Sequence, residues 1–169
     1  SIYVWRDSYR RFRWLKREIE NYKTLKNLNF IEYPKKGLNE LNKIIKKILE
    51  LEGYLLMIDY GFLKPNNQNT IQSICKHKRN DILKNLGKAD ITSHVNFSLI
   101  KEYFKKNNLS VKQIISQREF LESLGIKHRA EIIAKNMKFS QKSDLYYRLE
   151  RLLNKKSMGD LFKVIIAYK

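Results

Sequence analysis

The sequence of 169 residues is poor in the residues that build disulfides, tight turns and membrane spans. With one cysteine, Cys75, an intramolecular disulfide and a zinc site made of cysteines are both excluded. Six glycines and two prolines predict long elements joined by few loops. No apolar run approaches the ~18 residues of a membrane span, and the first residues lack the apolar core of a signal peptide. Because the first residue is Ser1 rather than Met, we expect a processed or partial chain.

Acidic residues are also scarce, because the sequence has 17 Asp and Glu but 35 Lys and Arg, which gives a net charge of +18. Such a field attracts anionic partners such as nucleic acid. Apolar types make up 43% of the chain, enough for the core of one domain. Heavy use of Lys, Asn and Ile throughout is typical of an AT-rich genome, which weakens the charge as a sign of nucleic-acid binding.

Several motifs of catalysis and cofactor binding are missing. The three histidines, His77, His94 and His128, have no paired ligand spacing and no accompanying cluster of carboxylates, so we expect no metal site. There is no Gly-x-Ser-x-Gly nucleophile turn and no Gly-x-Gly pair. The sequence therefore predicts neither a serine nucleophile nor a glycine-rich phosphate cradle in this chain.

The apolar pattern predicts alternating helices and strands. Apolar residues recur at helical spacing over 38–51, and a continuous apolar run over 54–58 predicts a strand buried on both faces, as in a parallel sheet. Further along, the pattern predicts helices over 97–104, 116–124, 127–137 and 141–153 and strands over 111–115 and 161–168, with Ser116 and Glu119 as a capping box. The predicted fold class is α/β.

Two polar clusters lie where such a fold places its ligands. Asp59, Tyr60 and Gly61 follow the apolar run, so Asp59 either faces a cleft, with Gly61 allowing close backbone approach, or caps a turn.

The second cluster is the segment 89–97. In it Asp90, Thr92, His94 and Asn96 alternate with apolar residues, which is typical of an extended segment that lines a pocket. A helix start capped by Thr92 or Asn96 explains part of the same pattern, and the structural interpretation is favoured.

The N-terminal segment, residues 1–30, interleaves aromatic and basic side chains and is predicted to form strands. Its rings and cations are Tyr3, Trp5, Tyr9, Phe12, Trp14, Arg6, Arg10, Arg11, Arg13, Lys16 and Arg17. Stacking rings beside cations suit RNA. A hairpin whose rings pack on the core, with the cations in solvent, explains the pattern equally simply and is favoured.

Five segments in order resemble the C-terminal half of the MidA-type S-adenosylmethionine-dependent methyltransferases. They are Leu56-Met57-Ile58-Asp59-Tyr60-Gly61-Phe62, Thr70-Ile71-Gln72 with His77, the stretch 86–97, the stretch 116–126, and Met158-Gly159-Asp160-Leu161-Phe162-Lys163-Val164. The resemblance covers residues 31–168, and it implies that 31–169 form the C-terminal portion of a Rossmann-like class I methyltransferase sheet with flanking helices. This family includes a mitochondrial protein-arginine methyltransferase that assists assembly of respiratory complex I.

The resemblance also implies a site. It places Asp59, Asp90 and His94 as catalytic residues and Glu32, Tyr60, Gln72 and Thr92 as substrate-binding residues. The chemistry would be methyl transfer from a sulfonium to an arginine guanidinium, which carboxylates bind bidentately. The S-adenosylmethionine would be held by the family's N-terminal half, which we expect to be absent from this chain.

Two departures weaken the site, because Asn96 and Lys88 stand where the family usually has Asp and Glu. We therefore expect either the C-terminal part of a protein-arginine methyltransferase, inactive without its cofactor half, or an inactive structural subunit of a mitochondrial ribonucleoprotein that contacts RNA and neighbouring subunits. The expected location is the mitochondrial matrix, or the cytoplasm if the source is bacterial.

Overall fold

The computed structural model of the chain describes residues 3–6, 13–65 and 67–169. The strands are β1 Tyr3–Arg6, β2 Phe30–Tyr33, β3 Tyr54–Phe62, β4 Gln72–Cys75, β5 Lys78–Asn80, β6 Asp90–Thr92, β7 Val95–Asn96, β8 Ser110–Ser116 and β9 Phe162–Tyr168. The helices are α1 Arg13–Glu20, α2 Lys35–Leu51, α3 Phe97–Lys106, α4 Gln117–Ser123, α5 Ile126–Ala134, α6 Phe139–Leu153 and α7 Met158–Leu161, with a 3₁₀ helix at Lys23–Leu25.

A four-stranded sheet in the order β7-β3-β9-β8 forms the centre of the fold. Strands β3 and β9 pair antiparallel from Tyr54 opposite Tyr168 to Tyr60 opposite Phe162. Strand β8 pairs antiparallel with the other edge of β9, and β7 pairs parallel with β3 only at Gly61 and Phe62. A two-stranded sheet, β1-β2, and a three-stranded sheet, β5-β4-β6, complete the described part of the chain.

The core lies on one face of the central sheet, beneath α2 and α3. Leu55 and Met57 of β3 pack there beside Ile165 and Ala167 of β9, which are both fully buried. The helices contribute the buried side chains Leu38, Ile45, Ile48, Phe97, Leu99 and Phe104. The 3.6-residue period of α2 places its apolar residues on one side, so that its lysines remain in solvent.

Helix starts follow the local chemistry of the sequence. The Asn96 side chain accepts a hydrogen bond from the Leu99 amide. Asn96 therefore caps α3, as one of the two interpretations of the segment 89–97 predicts. The predicted capping box at α4 is confirmed, since Ser116 and Glu119 bond to each other's backbone amides. The hydrogen bond from the Ser116 amide is the main reason that the pKa of Glu119 is lowered.

The α/β fold class is confirmed, but the prediction that 54–58 is buried on both faces is wrong. Tyr54 is 77% exposed, Leu56 51% and Ile58 42%, because α2 and α3 cover only the opposite face of β3. The strand pairs antiparallel with β9 over 54–60 and parallel with β7 at Gly61 and Phe62. The strand therefore carries apolar side chains on both faces, but the described residues cover only one face.

The N-terminal segment contains one strand and a helix rather than strands alone, since β1 pairs with β2 and α1 follows. Residues 7–12, which include Tyr9, Arg10, Arg11 and Phe12, lie outside the described residues. The RNA surface and the packed hairpin both stay predictions.

The small sheet β5-β4-β6 was not predicted. Its hairpin between β4 and β5 turns at Lys76 and His77, whose φ angles are both positive, at 50° and 62°. Two-residue hairpin turns of this kind are usually signalled by Asn-Gly, which tolerates that conformation. With Lys-His in those places, the pattern that identifies a hairpin is missing from the sequence.

Candidate functional site

Two of the predicted site residues, Gln72 and His94, line an open cleft next to the loop before β4. The cleft has a volume of about 520 Å³ and is lined by the loop before β4, by β4 itself and by the segment after β5, with His94 at its side. Its lining is mostly polar: Gln68, Asn69, Thr70, Ile71, Gln72, Ser73, Arg79, Asn80, Asp81 and Ile82, with His94. An open cleft with amide, hydroxyl and imidazole groups suits a polar ligand.

His94 and Tyr60 are in contact. His94 lies between β6 and β7, and its ring meets the Tyr60 ring edge to face, with centroids 5.3 Å apart. Tyr60 in turn packs against Phe162, the first residue of β9, at 5.8 Å. Edge-to-face packing holds both rings in defined orientations. The central sheet thereby sets the position of the His94 side chain.

Glu32 of β2 is not among the residues that line this cleft, and its carboxylate is engaged by the loop before β4. Oε1 accepts hydrogen bonds from the amides of Thr70 and Ile71, at 2.7 and 3.1 Å, and Oε2 accepts one from the Thr70 hydroxyl at 2.5 Å. The Thr70 Oγ1 also accepts a hydrogen bond from the His94 amide at 3.0 Å. Glu32 therefore ties the loop before β4 to β2 rather than facing the cleft as an unoccupied carboxylate.

Gln72 and Thr92 lie opposite each other on β4 and β6. Gln72 lines the cleft. The Thr92 Oγ1 is buried and, within the described ranges, has no hydrogen-bond partner. A buried hydroxyl without a partner costs about 1–3 kcal/mol.

Asp59 lies inside β3, opposite Lys163 of β9, and not at the strand end that the sequence predicted. Its Oδ1 accepts a hydrogen bond from the Tyr60 amide at 2.8 Å. Because successive residues of a strand point to opposite faces, Asp59 and Tyr60 lie on opposite faces of the sheet. Asp90 is exposed on β6, opposite Ile74. In the part of the chain that the structure describes, no hydrogen bond or ring contact links either aspartate to His94.

The close backbone approach expected at Gly61 is made by the protein itself. A Cβ at this position would lie 2.1 Å from the Val95 carbonyl oxygen and 3.0 Å from the Phe97 ring. Only glycine therefore allows β7 to approach β3 here, and this pairing carries the chain from β6 past His94 into α3.

Sequence reasoning gave no role to the residues that hold the loop of 67–71. Besides Thr70, Asn67 accepts hydrogen bonds through Oδ1 from the amides of Asn29 and Phe30, at 2.8 and 3.2 Å. The asparagine-rich stretch predicted a loop, but not which side chain would bind β2. Among the described residues, no group of three His, Cys, Asp or Glu is arranged to hold a metal ion, and no helix is long and apolar enough to cross a membrane.

Comparison with known proteins gives one family. Residues 5–115 match the family described as "Putative S-adenosyl-L-methionine-dependent methyltransferase". The chain is 35% identical over 89 residues to a mitochondrial protein arginine methyltransferase NDUFAF7 homolog of Caenorhabditis elegans, covering 53% of this chain and 21% of that protein. It is 29% identical over 123 residues to the mitochondrial protein arginine methyltransferase NDUFAF7 of Homo sapiens, covering 72% and 27%.

A crystal structure of a Burkholderia thailandensis protein bound to S-adenosyl-homocysteine shares the fold, with a TM-score of 0.72 and 23% identity. The similarity covers 85% of this chain and 39% of that one. A second structure from the same organism, without that ligand in its description, has a TM-score of 0.62 and 22% identity over 83% of this chain and 45% of that one. The chain thus spans less than half of the solved structures and 21–29% of the curated relatives that it matches.

Proposed function

The chain belongs to this family of S-adenosyl-L-methionine-dependent methyltransferases, and we propose that it is the C-terminal part of an enzyme that methylates arginine side chains of proteins. The curated relatives named protein arginine methyltransferases support the substrate class. Their mitochondrial location supports the mitochondrial matrix as the place where this chain works.

The observation that carries the proposal is the open side of β3. On the edge away from β9, the described residues provide a partner strand only at Gly61 and Phe62, so 54–60 has an unpaired edge. The adjoining face exposes Tyr54, Leu56 and Ile58. An apolar strand with a free edge and a free face is a liability in an isolated protein. The same strand suits a sheet that continues into another lobe.

The described glycines do not form a cofactor cradle. Gly61 and Gly159 each approach a neighbouring backbone, since a Cβ would lie 2.1 Å from Val95 O and 2.3 Å from Leu153 O. Their lack of a side chain serves contacts within the fold. We therefore assign S-adenosylmethionine to the remaining lobe of the enzyme, where it would supply a methyl group on a sulfonium.

The cleft beside β3 is where we place the substrate arginine. Gln72 offers a hydrogen-bonding group in the cleft, and we assign the His94 imidazole as its acid–base group. Tyr60 packs against the His94 ring, and Thr92 lies opposite Gln72 on β6; both are proposed to shape the substrate site. We propose Asp90, exposed on β6, and Asp59, on the face of β3 opposite Tyr60, as carboxylates for the guanidinium, because a carboxylate binds that group bidentately and offsets its charge. Neither is among the residues that line the cleft. Glu32 is the least available of the three carboxylates, since the loop before β4 occupies it.

A chimaera tests the proposal. The part of the human relative that matches this chain would be replaced by the chain, and transfer of a labelled methyl group to arginine-containing peptides would be measured. We expect transfer that depends on S-adenosylmethionine. No transfer, together with RNA binding whose affinity falls steeply with salt, would contradict the proposal and favour the structural subunit of a ribonucleoprotein.

Within the active chimaera, Asp59→Ala is expected to abolish methyl transfer with little change in the unfolding midpoint, since Asp59 is only half-buried. Asp59→Asn keeps the shape but removes the charge, so it should lose most of the activity as well. Unchanged turnover in both variants would remove Asp59 from the site. Asp144→Ala, an exposed aspartate of α6 that pairs with Arg148 away from the cleft, is the matched control.

A further inference from the structure

We propose that Glu32 and Thr70 are positioning residues that set the place of His94 in the cleft, and that Glu32 is not a ligand of the substrate. The importance of this position for methyl transfer rests on the proposed function. The hydrogen bonds that connect Glu32, Thr70 and His94 lie within this polypeptide, so they can be tested without measuring methyl transfer.

Two hydrogen bonds in series connect Glu32 of β2 to His94. Glu32 Oε2 accepts the hydroxyl proton of Thr70, which directs a lone pair of Thr70 Oγ1 away from Glu32. The His94 amide donates to that oxygen at 3.0 Å. Because the Thr70 and Ile71 amides also bind Oε1, the carboxylate holds the backbone and the hydroxyl of Thr70 together.

His94 depends on this support because it lies outside regular structure. The two residues Ser93 and His94 separate β6 from β7, and neither belongs to a strand. The Thr70 hydroxyl holds the His94 backbone, and the edge-to-face contact with Tyr60 at 5.3 Å holds its ring. One support comes from the loop before β4 and the other from the central sheet.

The same contacts count against Glu32 as a guanidinium ligand. Bidentate binding needs one free lone pair on each oxygen in a shared plane. Here Oε1 already accepts two amides and Oε2 accepts a hydroxyl at 2.5 Å. A bidentate guanidinium would have to displace an amide from Oε1, and this would loosen the hold of Glu32 on Thr70, which supports His94.

Asn67 provides a control within the same loop. It also binds the loop to β2, through the amides of Asn29 and Phe30, yet no described contact connects it to His94. Loss of Asn67 should therefore loosen the loop without acting on His94 through a hydrogen bond. A general effect of loop mobility and a specific effect on His94 can thus be separated.

The first experiment measures amide hydrogen exchange in the 169-residue chain. We expect Thr70→Val to speed exchange at the His94 amide about tenfold, Thr70→Ser to restore it, and Asn67→Ala to leave it within about twofold of the original. Equal exchange at His94 in the original chain and in Thr70→Val, with both folded by circular dichroism, would overturn the proposal.

The second experiment uses the chimaera and separates kcat from KM. Positioning predicts that Thr70→Val and Glu32→Ala lower kcat about tenfold or more with KM for the peptide little changed, and that Thr70→Ser recovers kcat. A rise in KM confined to the Glu32 variants would make Glu32 a substrate ligand and overturn the proposal. If the chimaera transfers no methyl group at all, the proposed function fails, while the exchange rates still decide the hydrogen-bond chain.

Discussion

The two faces of β3 have similar sequences and opposite surroundings. Leu55 and Met57 point into the core with Ile165, whereas Leu56 and Ile58 on the other face remain 51% and 42% exposed. Polar residues normally alternate with apolar ones when one face of an antiparallel sheet meets water. The apolar residues on both faces are therefore those of a sheet that is covered on both sides. The exposed apolar face of β3 is what the proposed contact with a further lobe requires.

The largest expected effect tests the covered face. Ile165→Ala removes a fully buried side chain beneath α2 and α3, and should lower the free energy of unfolding by about 3 kcal/mol. Leu56→Ala, on the open face, should cost less than about 1 kcal/mol in this chain, because half of the side chain already contacts water. Urea denaturation of both variants measures the difference. Equal losses would show that both faces are covered in solution.

A second change acts where the open edge of β3 first gains a partner. Gly61→Ala places a Cβ against the Val95 carbonyl and the Phe97 ring, so we expect a loss of about 2–3 kcal/mol. Gly87→Ala is the control, since its φ is +76° but nothing lies within 4 Å of the added Cβ, and it should cost about 1 kcal/mol. Similar losses in the two thermal unfolding curves would mean that β7 does not approach β3 as described.

The smallest change acts on the covered side, where Glu102 of α3 binds the 3₁₀ helix at 23–25. Burial raises its pKa, but hydrogen bonds from the Thr24 amide and hydroxyl and the Lys23 amide outweigh this, so the pKa is lowered overall. A lowered folded pKa means stability that is complete above the unfolded value and is lost as the pH falls through the folded value.

Glu102→Gln should therefore cost about 1 kcal/mol at neutral pH and almost nothing in acid, where the original carboxylate is protonated as well. Glu40→Gln removes only an exposed pair with Lys43 and should change stability little at any pH. Unfolding midpoints at pH 7 and pH 2.5 provide the comparison. A loss for Glu102→Gln that is the same at both pH values would contradict the assignment.

Sequence reasoning succeeded where one local signal decides the outcome. The period of α2 and the capping box at Ser116 and Glu119 each sit within a few residues of the element they define. It failed where the outcome depends on what lies opposite in space. The exposure of Leu56 depends on which helices cover the sheet, and the hairpin at Lys76 and His77 forms without the usual turn residues.

The candidate site likewise has residues that the sequence predicted and contacts that it could not predict. Ordered blocks of sequence identified Gln72 and His94, which line one cleft, and Tyr60, whose ring packs against that of His94. The engagement of Glu32 by Thr70 could not be found from sequence, since the loop and β2 are distant along the chain and no pattern links a carboxylate to backbone amides. The sequence shows which polar residues a loop contains, but not which groups they bind.

The most direct measurement of the proposed contact is amide exchange along β3, in the chain alone and with the lobe of the human relative that the chain does not match added. We predict that the edge amides of 54–60 exchange quickly in the chain alone and slow at least about tenfold when the lobe is present, while amides on the outer edge of β8 are unchanged. Exchange along β3 that stays the same while the lobe binds elsewhere, or slow exchange in the chain alone, would contradict this prediction.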